Sequence, residues 1–207
     1  MPLRFFCLLF ICLLTTGIAV SQDLVTMLNG RSFDAKVIDT SIVEVKYERW
    51  KRGKLKQYEV DASKIFEIEF ADGTSKILYK KDSMAGNFLS VAEMQFYILG
   101  EQDAYKYFKG GDAAITGFII GISGGYLFAD LFLVMLVPVI PPSVLALMPT
   151  NINPKKVPNP VYFKNENYRH GYTRVANQKK VLGALKGGLA GALTGFAAFY
   201  VAASLNR

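Results

Sequence analysis

The side chains best suited to catalysis are few in this sequence of 207 residues. The single histidine, His170, lies in a polar segment between Arg169 and Gly171, and both cysteines, Cys7 and Cys12, lie near the N-terminus. A metal site or a nucleophilic triad needs several such groups close together. We therefore interpret His170 as a solvated surface residue and predict no metal, no cofactor and no catalytic residue.

The carboxylates do not suggest an acid–base pair either. Glu101 and Asp103 lie two residues apart in a predicted helix, so their side chains diverge around it. Solvation of the helix or pairing with Lys106 is the expected role for both. An enzyme is accordingly the least favoured class, and we expect a protein that acts by binding or as a structural component.

Glycine spacing is the strongest pattern in the sequence. Two apolar segments carry glycines four residues apart, so that each set lies on one helix face. In lipid, such small residues allow close backbone approach and tight helix packing. The two sets are Gly117, Gly121 and Gly125 in the first segment and Gly183, Gly187, Gly191 and Gly195 in the second.

Packing of the two glycine sets within one chain is the favoured arrangement. If the segments run antiparallel, the three glycines of the first face Gly195, Gly191 and Gly187 in turn. The alternative is pairing with a second copy of the chain, which would give a homo-oligomer. The same antiparallel hairpin brings two possible intramembrane charges, Asp130 and Lys186, to similar depth. They either form an ion or proton relay or, as we favour, each reaches water near the headgroups.

Two predicted transmembrane helices position these glycines: residues 113–137, and the end of a helix over 166–205. Both are long enough to cross a hydrocarbon layer of about 30 Å at about 1.5 Å per residue. Prolines forbid a continuous helix between them, so residues 138–165 are predicted to form an irregular basic loop. A linker helix over 88–110, with a capping box that begins at Ser90, precedes the first span.

The chain before the linker helix has the pattern of short strands. Residues 22–85 alternate apolar and polar side chains and contain turn dipeptides such as Asn29-Gly30. Five or six strands are predicted, in a small antiparallel SH3-like barrel or meander. The expected fold is therefore an α+β membrane protein, in which this β domain precedes a two-helix transmembrane hairpin.

The N-terminus predicts export. Residues 1–21 have the order of a secretory signal peptide, with Arg4 followed by an apolar run and then small residues that end at Ser21. An uncleaved signal anchor is the alternative. Cleavage would remove both cysteines and exclude disulfides from the mature chain. The prediction is a two-span protein of the bacterial inner membrane with a periplasmic β domain.

The formal charge of +7 comes largely from residues 150–180. Positively charged loops are retained in the cytoplasm, so the basic loop is predicted to be cytoplasmic. Nucleic acid is not an expected partner, because the β domain is exported. The expected partners are membrane lipid and an envelope protein that the sequence does not identify, with a second copy of the chain as a further possibility.

Several short motifs resemble a known group of proteins. They are Asn29-Gly30, Gly100-Glu101-Gln102-Asp103-Ala104, Pro141-Pro142, Asn159-Pro160-Val161-Tyr162, Gly171-Tyr172 and Lys179-Lys180. With the glycine-rich second span, they resemble uncharacterised two-span envelope proteins of Bacteroidota-type bacteria. The chain is also similar, more loosely, to glycine-zipper envelope proteins, which usually carry a lipid-modified cysteine. The first resemblance implies architecture and compartment, and no activity.

The favoured function is that of a membrane-anchored structural or interaction protein of the cell envelope. Its exported β domain is the binding module, and its helices are the anchor. The alternative is an oligomeric glycine-zipper pore or a transport accessory subunit, because glycine stripes permit tight multimers.

Overall fold

The chain folds as two compact units. The structure, a computed structural model, describes residues 22–129 and 132–205. Residues 22–27 and 32–79 form the first, the β unit, and residues 28–31 and 80–205 form the second, the helical unit. The architecture is α+β, as the sequence predicts: a six-stranded antiparallel sheet followed by helices. The predicted signal peptide, residues 1–21, and Asp130 lie outside the described residues.

Six antiparallel strands form the β unit in the spatial order β4-β3-β2-β1-β5-β6. They are β1 (Asp23–Met27), β2 (Ser32–Thr40), β3 (Glu44–Lys51), β4 (Lys54–Asp61), β5 (Ile65–Glu69) and β6 (Ser75–Ile77). A two-residue turn at Arg52 and Gly53, with φ of 53° and 74°, joins β3 to β4. Positive φ at both positions gives the turn a twist that matches the strands. The buried core of the sheet comprises Val25, Ala35, Val45, Ala62, Ile65 and Ile68.

The described residues of the helical unit form four α-helices: α1 (Val91–Tyr107), α2 (Gly111–Leu127), α3 (Ile140–Leu147) and α4 (Glu166–Leu205). A capping box begins α1, in which the amide of Ser90 donates to Glu93 Oε2 at 2.7 Å and the amide of Glu93 donates to Ser90 Oγ at 3.3 Å. Helix α4 has 40 residues and is about 60 Å long, which is twice the thickness of a hydrocarbon layer.

Helices α1 and α2 lie alongside α4 and run in the same direction. The closest approaches join Tyr97 to Gly171, Gly110 to Gly183, Ala114 to Gly187, Phe118 to Gly191 and Ile122 to Gly195. The residue numbers rise together along both partners, so the helices are parallel. The predicted antiparallel hairpin is therefore wrong in its direction.

The segment after α2 returns along α4. Pro138 packs at Gly188, and Lys180 Nζ donates to the Met148 carbonyl at 2.6 Å. As residue numbers rise along this segment, those of its contacts on α4 fall, so residues 138–148 run antiparallel to α4. This return is what allows two sequential helices to lie parallel.

The first predicted span is shorter than expected. The sequence predicts one helix over 113–137, whereas α2 ends at Leu127. A Cβ at Gly124 would lie 2.6 Å from Val137 Cγ1, so the absence of a side chain at Gly124 admits the returning chain. The predicted loop over 138–165 also contains a helix, α3, whose prolines lie in its first turn, where an unbonded amide is tolerated.

The helical unit has two halves of different character. The polar half, residues 91–110 and 150–180, has a buried core that comprises Ala104, Val157, Tyr168, Tyr172, Val175 and Ala176. The apolar half consists of residues 111–129, 132–148 and 181–205. In that described part, the charged residues are Asp112 and Lys186.

Candidate functional site

A groove lies on the surface of the β unit. Trp50 and Leu55, a directly opposed pair on β3 and β4, line it and are 65% and 49% exposed. Val37 and Phe70 add apolar surface, and Lys36 lies at the same groove. Aromatic residues such as tryptophan are enriched at protein recognition surfaces.

The Asp23 carboxylate fixes the backbone beside this groove. Its two oxygens accept hydrogen bonds from the Val37 amide at 2.7 Å and the Ala71 amide at 2.9 Å. These bonds connect β2 to the chain that follows β5. The Asp23 side chain therefore holds two backbone segments of the groove wall in place, while Trp50 and Leu55 remain exposed at the surface.

The polar half of the helical unit contains an ion pair whose carboxylate is buried. Arg174 on α4 donates to Glu101 Oε1 on α1. The Glu101 side chain is fully buried, whereas that of Arg174 is 48% exposed. Gly30, in the turn that belongs to the helical unit, lies against the Glu101 carboxylate.

The electrostatics of Glu101 are unusual for a carboxylate. Burial raises its pKa, and the hydrogen bond and charge of Arg174 offset part of that rise. Among the described residues, its Oε2 has no hydrogen-bond partner. Glu101 is therefore held in the interior by one partner only, which makes Arg174 important for stability.

Two further polar contacts join α1 to α4. The Tyr168 hydroxyl donates to Asp103 Oδ2 at 2.5 Å, and burial together with this bond raises the pKa of Tyr168. Lys179 Nζ donates to the carbonyls of Ala104, Tyr105 and Phe108 at 3.1, 2.6 and 3.0 Å. These carbonyls lie at the end of α1, where a helix leaves acceptors unbonded and favours positive charge.

The roles predicted for Glu101 and Asp103 are therefore incorrect. The sequence suggests solvation or pairing with Lys106, but each carboxylate bonds a side chain of α4 instead. Their divergence around α1 does keep them from forming a pair. A usable signal was present in Gly100 and Gly171, because a glycine inside a helix costs about 1 kcal/mol relative to alanine and suggests close packing. A Cβ at either glycine would overlap a carbonyl oxygen of the other helix.

All seven predicted packing glycines lie where α4 meets α2 or the chain just before it, within one chain. A Cβ would overlap a backbone oxygen of the partner at Gly117, Gly125, Gly187, Gly191 and Gly195, and would lie 2.5 Å from one at Gly121 and 2.6 Å from one at Gly183. The partners are those of a parallel register. Gly117 lies at Ala184 and Gly125 at Ala192, rather than at Gly195 and Gly187, and Gly121 does lie at Gly191.

The predicted charge pair depended on the antiparallel arrangement. Lys186 is exposed and precedes Gly187, which packs at Ala114 near the beginning of α2. Asp130 follows the end of α2 in sequence and lies outside the described residues. The expectation that the two charges lie at similar depth followed from the antiparallel hairpin, so it does not apply to the parallel helices.

The remaining candidate for chemistry is His170. It is exposed and lies 3.5 Å from Glu166 Oε1, one turn earlier on α4. Within residues 22–129 and 132–205, no group of three or more histidine, cysteine, aspartate or glutamate side chains is placed to hold a metal ion.

Comparison with known proteins gives no assignment for this geometry. The chain matches no protein-family model, no curated protein and no solved structure. In the described part of the chain, one helix, Glu166–Leu205, is long and apolar enough to cross a membrane. The candidate sites are thus the groove of the β unit and the apolar half of the helical unit.

Proposed function

We propose that this protein is a membrane-anchored interaction protein of the cell envelope, in which the β unit binds a partner without catalysis. The observation that carries the proposal is the distribution of exposed apolar side chains in the helical unit. After residue 90, the exposed large apolar side chains lie almost entirely in the apolar half. In the described residues of the polar half, the exposed ones are Tyr107, Val161 and Tyr162. An apolar surface of this extent needs lipid or protein to cover it.

The apolar half is the proposed anchor. Its exposed side chains include Ile115, Phe118, Ile119, Leu127, Leu136, Leu147, Leu189, Leu193, Val201 and Leu205. Residues 181–205 would cross about 37 Å at the rise of an α-helix, enough for a hydrocarbon layer of about 30 Å. Helix α2 and the returning segment would lie beside them in the bilayer.

The parallel helices imply a topology that differs from the predicted hairpin. Helices α2 and the apolar part of α4 begin at the same level and would enter the bilayer from the same side. Residues 150–165 would then lie on the side of α1. The β unit would share that side, because residues 80–90 contain no apolar span. With export by the N-terminal segment, this side is the periplasm, and the proposed basic loop is periplasmic rather than cytoplasmic.

Cysteine labelling tests this topology. In a cysteine-free background, single cysteines replace Lys54 in β4, Lys155 in the basic loop and Ser204 near the end of α4. With a membrane-impermeant maleimide on intact spheroplasts, we expect Lys54→Cys and Lys155→Cys to react and Ser204→Cys to react only after permeabilisation. If Lys54→Cys is labelled and Lys155→Cys is protected, the result would contradict this topology and support the hairpin topology with a cytoplasmic basic loop.

The groove is the proposed binding surface of the β unit. We infer that the unit is an SH3-like barrel, because β2 pairs with β1 through residues 32–35 and with β3 through residues 36–40, and its register with β3 shifts between Val37 and Asp39. Such a bend lets one strand serve both halves of a small barrel. The pore alternative has less support, since the glycines that would pack between chains are in contact within one chain.

Site-specific photo-crosslinking tests the binding function. A photoreactive phenylalanine analogue replaces Leu55 in the groove, and the matched control replaces Ile42, which is 98% exposed in the turn before β3. In native membranes, we expect one defined envelope protein crosslinked through position 55 and not through position 42. No adduct at position 55, or the same adducts at both positions, would contradict the proposal.

A further inference from the structure

A cavity of about 710 Å³ lies where the two halves of the helical unit meet. Its lining includes Lys109, Asn151, Asn153 and Lys180 from the polar half. From the apolar half it includes Ala113 and Leu145. The cavity therefore has a polar, basic part and an apolar part, and its walls come from three segments of the chain.

The charge of the cavity favours an anion. Lys109 is exposed, and Lys180 uses one of its three ammonium donors on the Met148 carbonyl. Asp112 is the acidic residue among the lining side chains, so the two lysines leave a net positive charge. Burial lowers the pKa of Lys180, an effect that a bound anion would oppose.

The position of the cavity favours a lipid over a soluble anion. Leu145 belongs to α3, whose exposed side chains Val144 and Leu147 continue the apolar surface away from the cavity. In the proposed membrane arrangement, that surface contacts acyl chains, and the two lysines lie at headgroup level. Basic pockets between membrane helices commonly bind anionic headgroups.

We infer that this cavity binds one anionic phospholipid. Its phosphate lies between Lys109 and Lys180, its glycerol region contacts Asn151 and Asn153, and an acyl chain leaves along Leu145. The inference rests on the proposed function, because it requires the apolar half to lie in a bilayer.

Native mass spectrometry of lipid retention tests the inference. The full chain is reconstituted in nanodiscs that contain equal amounts of phosphatidylglycerol and phosphatidylcholine with identical chains, and is then released. We expect one phosphatidylglycerol to be retained in preference to phosphatidylcholine. The double variant Lys109→Ala/Lys180→Ala should lose that preference by about tenfold, since each lysine near a headgroup contributes several-fold. The matched double variant Lys164→Ala/Lys186→Ala changes two lysines outside the cavity and should keep it.

The proposed membrane anchoring and the proposed lipid site are contradicted by different results. Flotation of proteoliposomes measures insertion separately, and a chain that does not float with lipid contradicts both proposals. A chain that inserts but retains both lipids equally, or whose control variant loses the preference as well, overturns the lipid site alone. Inorganic phosphate that displaces the retained lipid from the detergent-solubilised protein would assign the cavity to a soluble anion and likewise overturn it.

Discussion

Replacing Gly187 with alanine is expected to separate α2 from α4 and to lower the free energy of unfolding of the helical unit by about 2–3 kcal/mol. The added Cβ would overlap the carbonyl oxygen of Ala114. A backbone atom cannot move aside as a side chain can, so the helices must shift and lose contacts along the interface. Overpacking of this kind costs about 1–3 kcal/mol, and a clash with backbone lies at the upper end.

Gly111→Ala is the matched control for this variant. Gly111 is the first residue of α2, and a Cβ there would meet nothing within 4 Å. Alanine should leave stability unchanged or raise it by up to about 1 kcal/mol through helix propensity. Thermal loss of helical circular dichroism in mild detergent measures both variants, while fluorescence of the single tryptophan, Trp50, reports the β unit separately. Equal melting of the two variants would show that Gly187 is not at a tight interface.

The glycine pattern illustrates what sequence can and cannot predict about helix packing. A spacing of four residues identifies which face of each helix is small. The spacing is the same in both directions along the helix axis, so it does not distinguish parallel from antiparallel partners. The parallel arrangement depends on the return of residues 132–149 along α4, which is fixed by tertiary contacts such as Pro138 at Gly188.

The β unit was more predictable because its signals are local. Alternation of side chains and turn dipeptides such as Asn29-Gly30 act within a few residues, and both occur where the strands and turns lie. The groove was not predictable in the same way. Its walls come from β1, β2, β3, β4 and the β5–β6 turn, which only the strand order brings together.

The ion pair in the polar half was not predictable from the sequence for a related reason. Glu101 and Arg174 are separated by 73 residues, and neither has a local partner that suggests burial. Their contact follows from the close approach of α1 and α4 at Gly100 and Gly171. Glycines at the helix contacts thus explain two features: close packing in the apolar half and a buried charge in the polar half.

This ion pair leads to the second large effect, in which Arg174→Met should destabilise the helical unit more than Glu101→Gln. Removing arginine leaves the Glu101 carboxylate buried with no countercharge, which costs about 3–5 kcal/mol in a fully buried pair. Because Arg174 is 48% exposed, part of its effect is screened, and we expect about 2–3 kcal/mol. Glu101→Gln instead leaves an arginine that can reach water, and should cost about 1 kcal/mol.

The pH dependence gives the Arg174→Met variant a distinctive signature. Burial raises the folded pKa of Glu101 above its unfolded value, so the folded chain holds the proton between the two values. In that window, the free energy of unfolding falls as pH rises. Loss of Arg174 raises the folded pKa further. Destabilisation relative to the parent chain should therefore be largest above the folded pKa of Glu101 in the variant, and should shrink as pH falls from there toward the folded pKa of Glu101 in the parent chain.

Two comparisons isolate the buried carboxylate as the cause. The double variant Glu101→Gln/Arg174→Met removes both charges, so it should regain most of the lost stability and lose the extra pH dependence. Arg169→Met, which changes an exposed arginine on the same helix, should leave both unchanged. Chemical denaturation in detergent across pH measures all of these. If the double variant is no more stable than Arg174→Met, removing the charge at residue 101 does not restore stability. That result would show that Arg174 stabilises the unit through packing of its side chain and not through its charge.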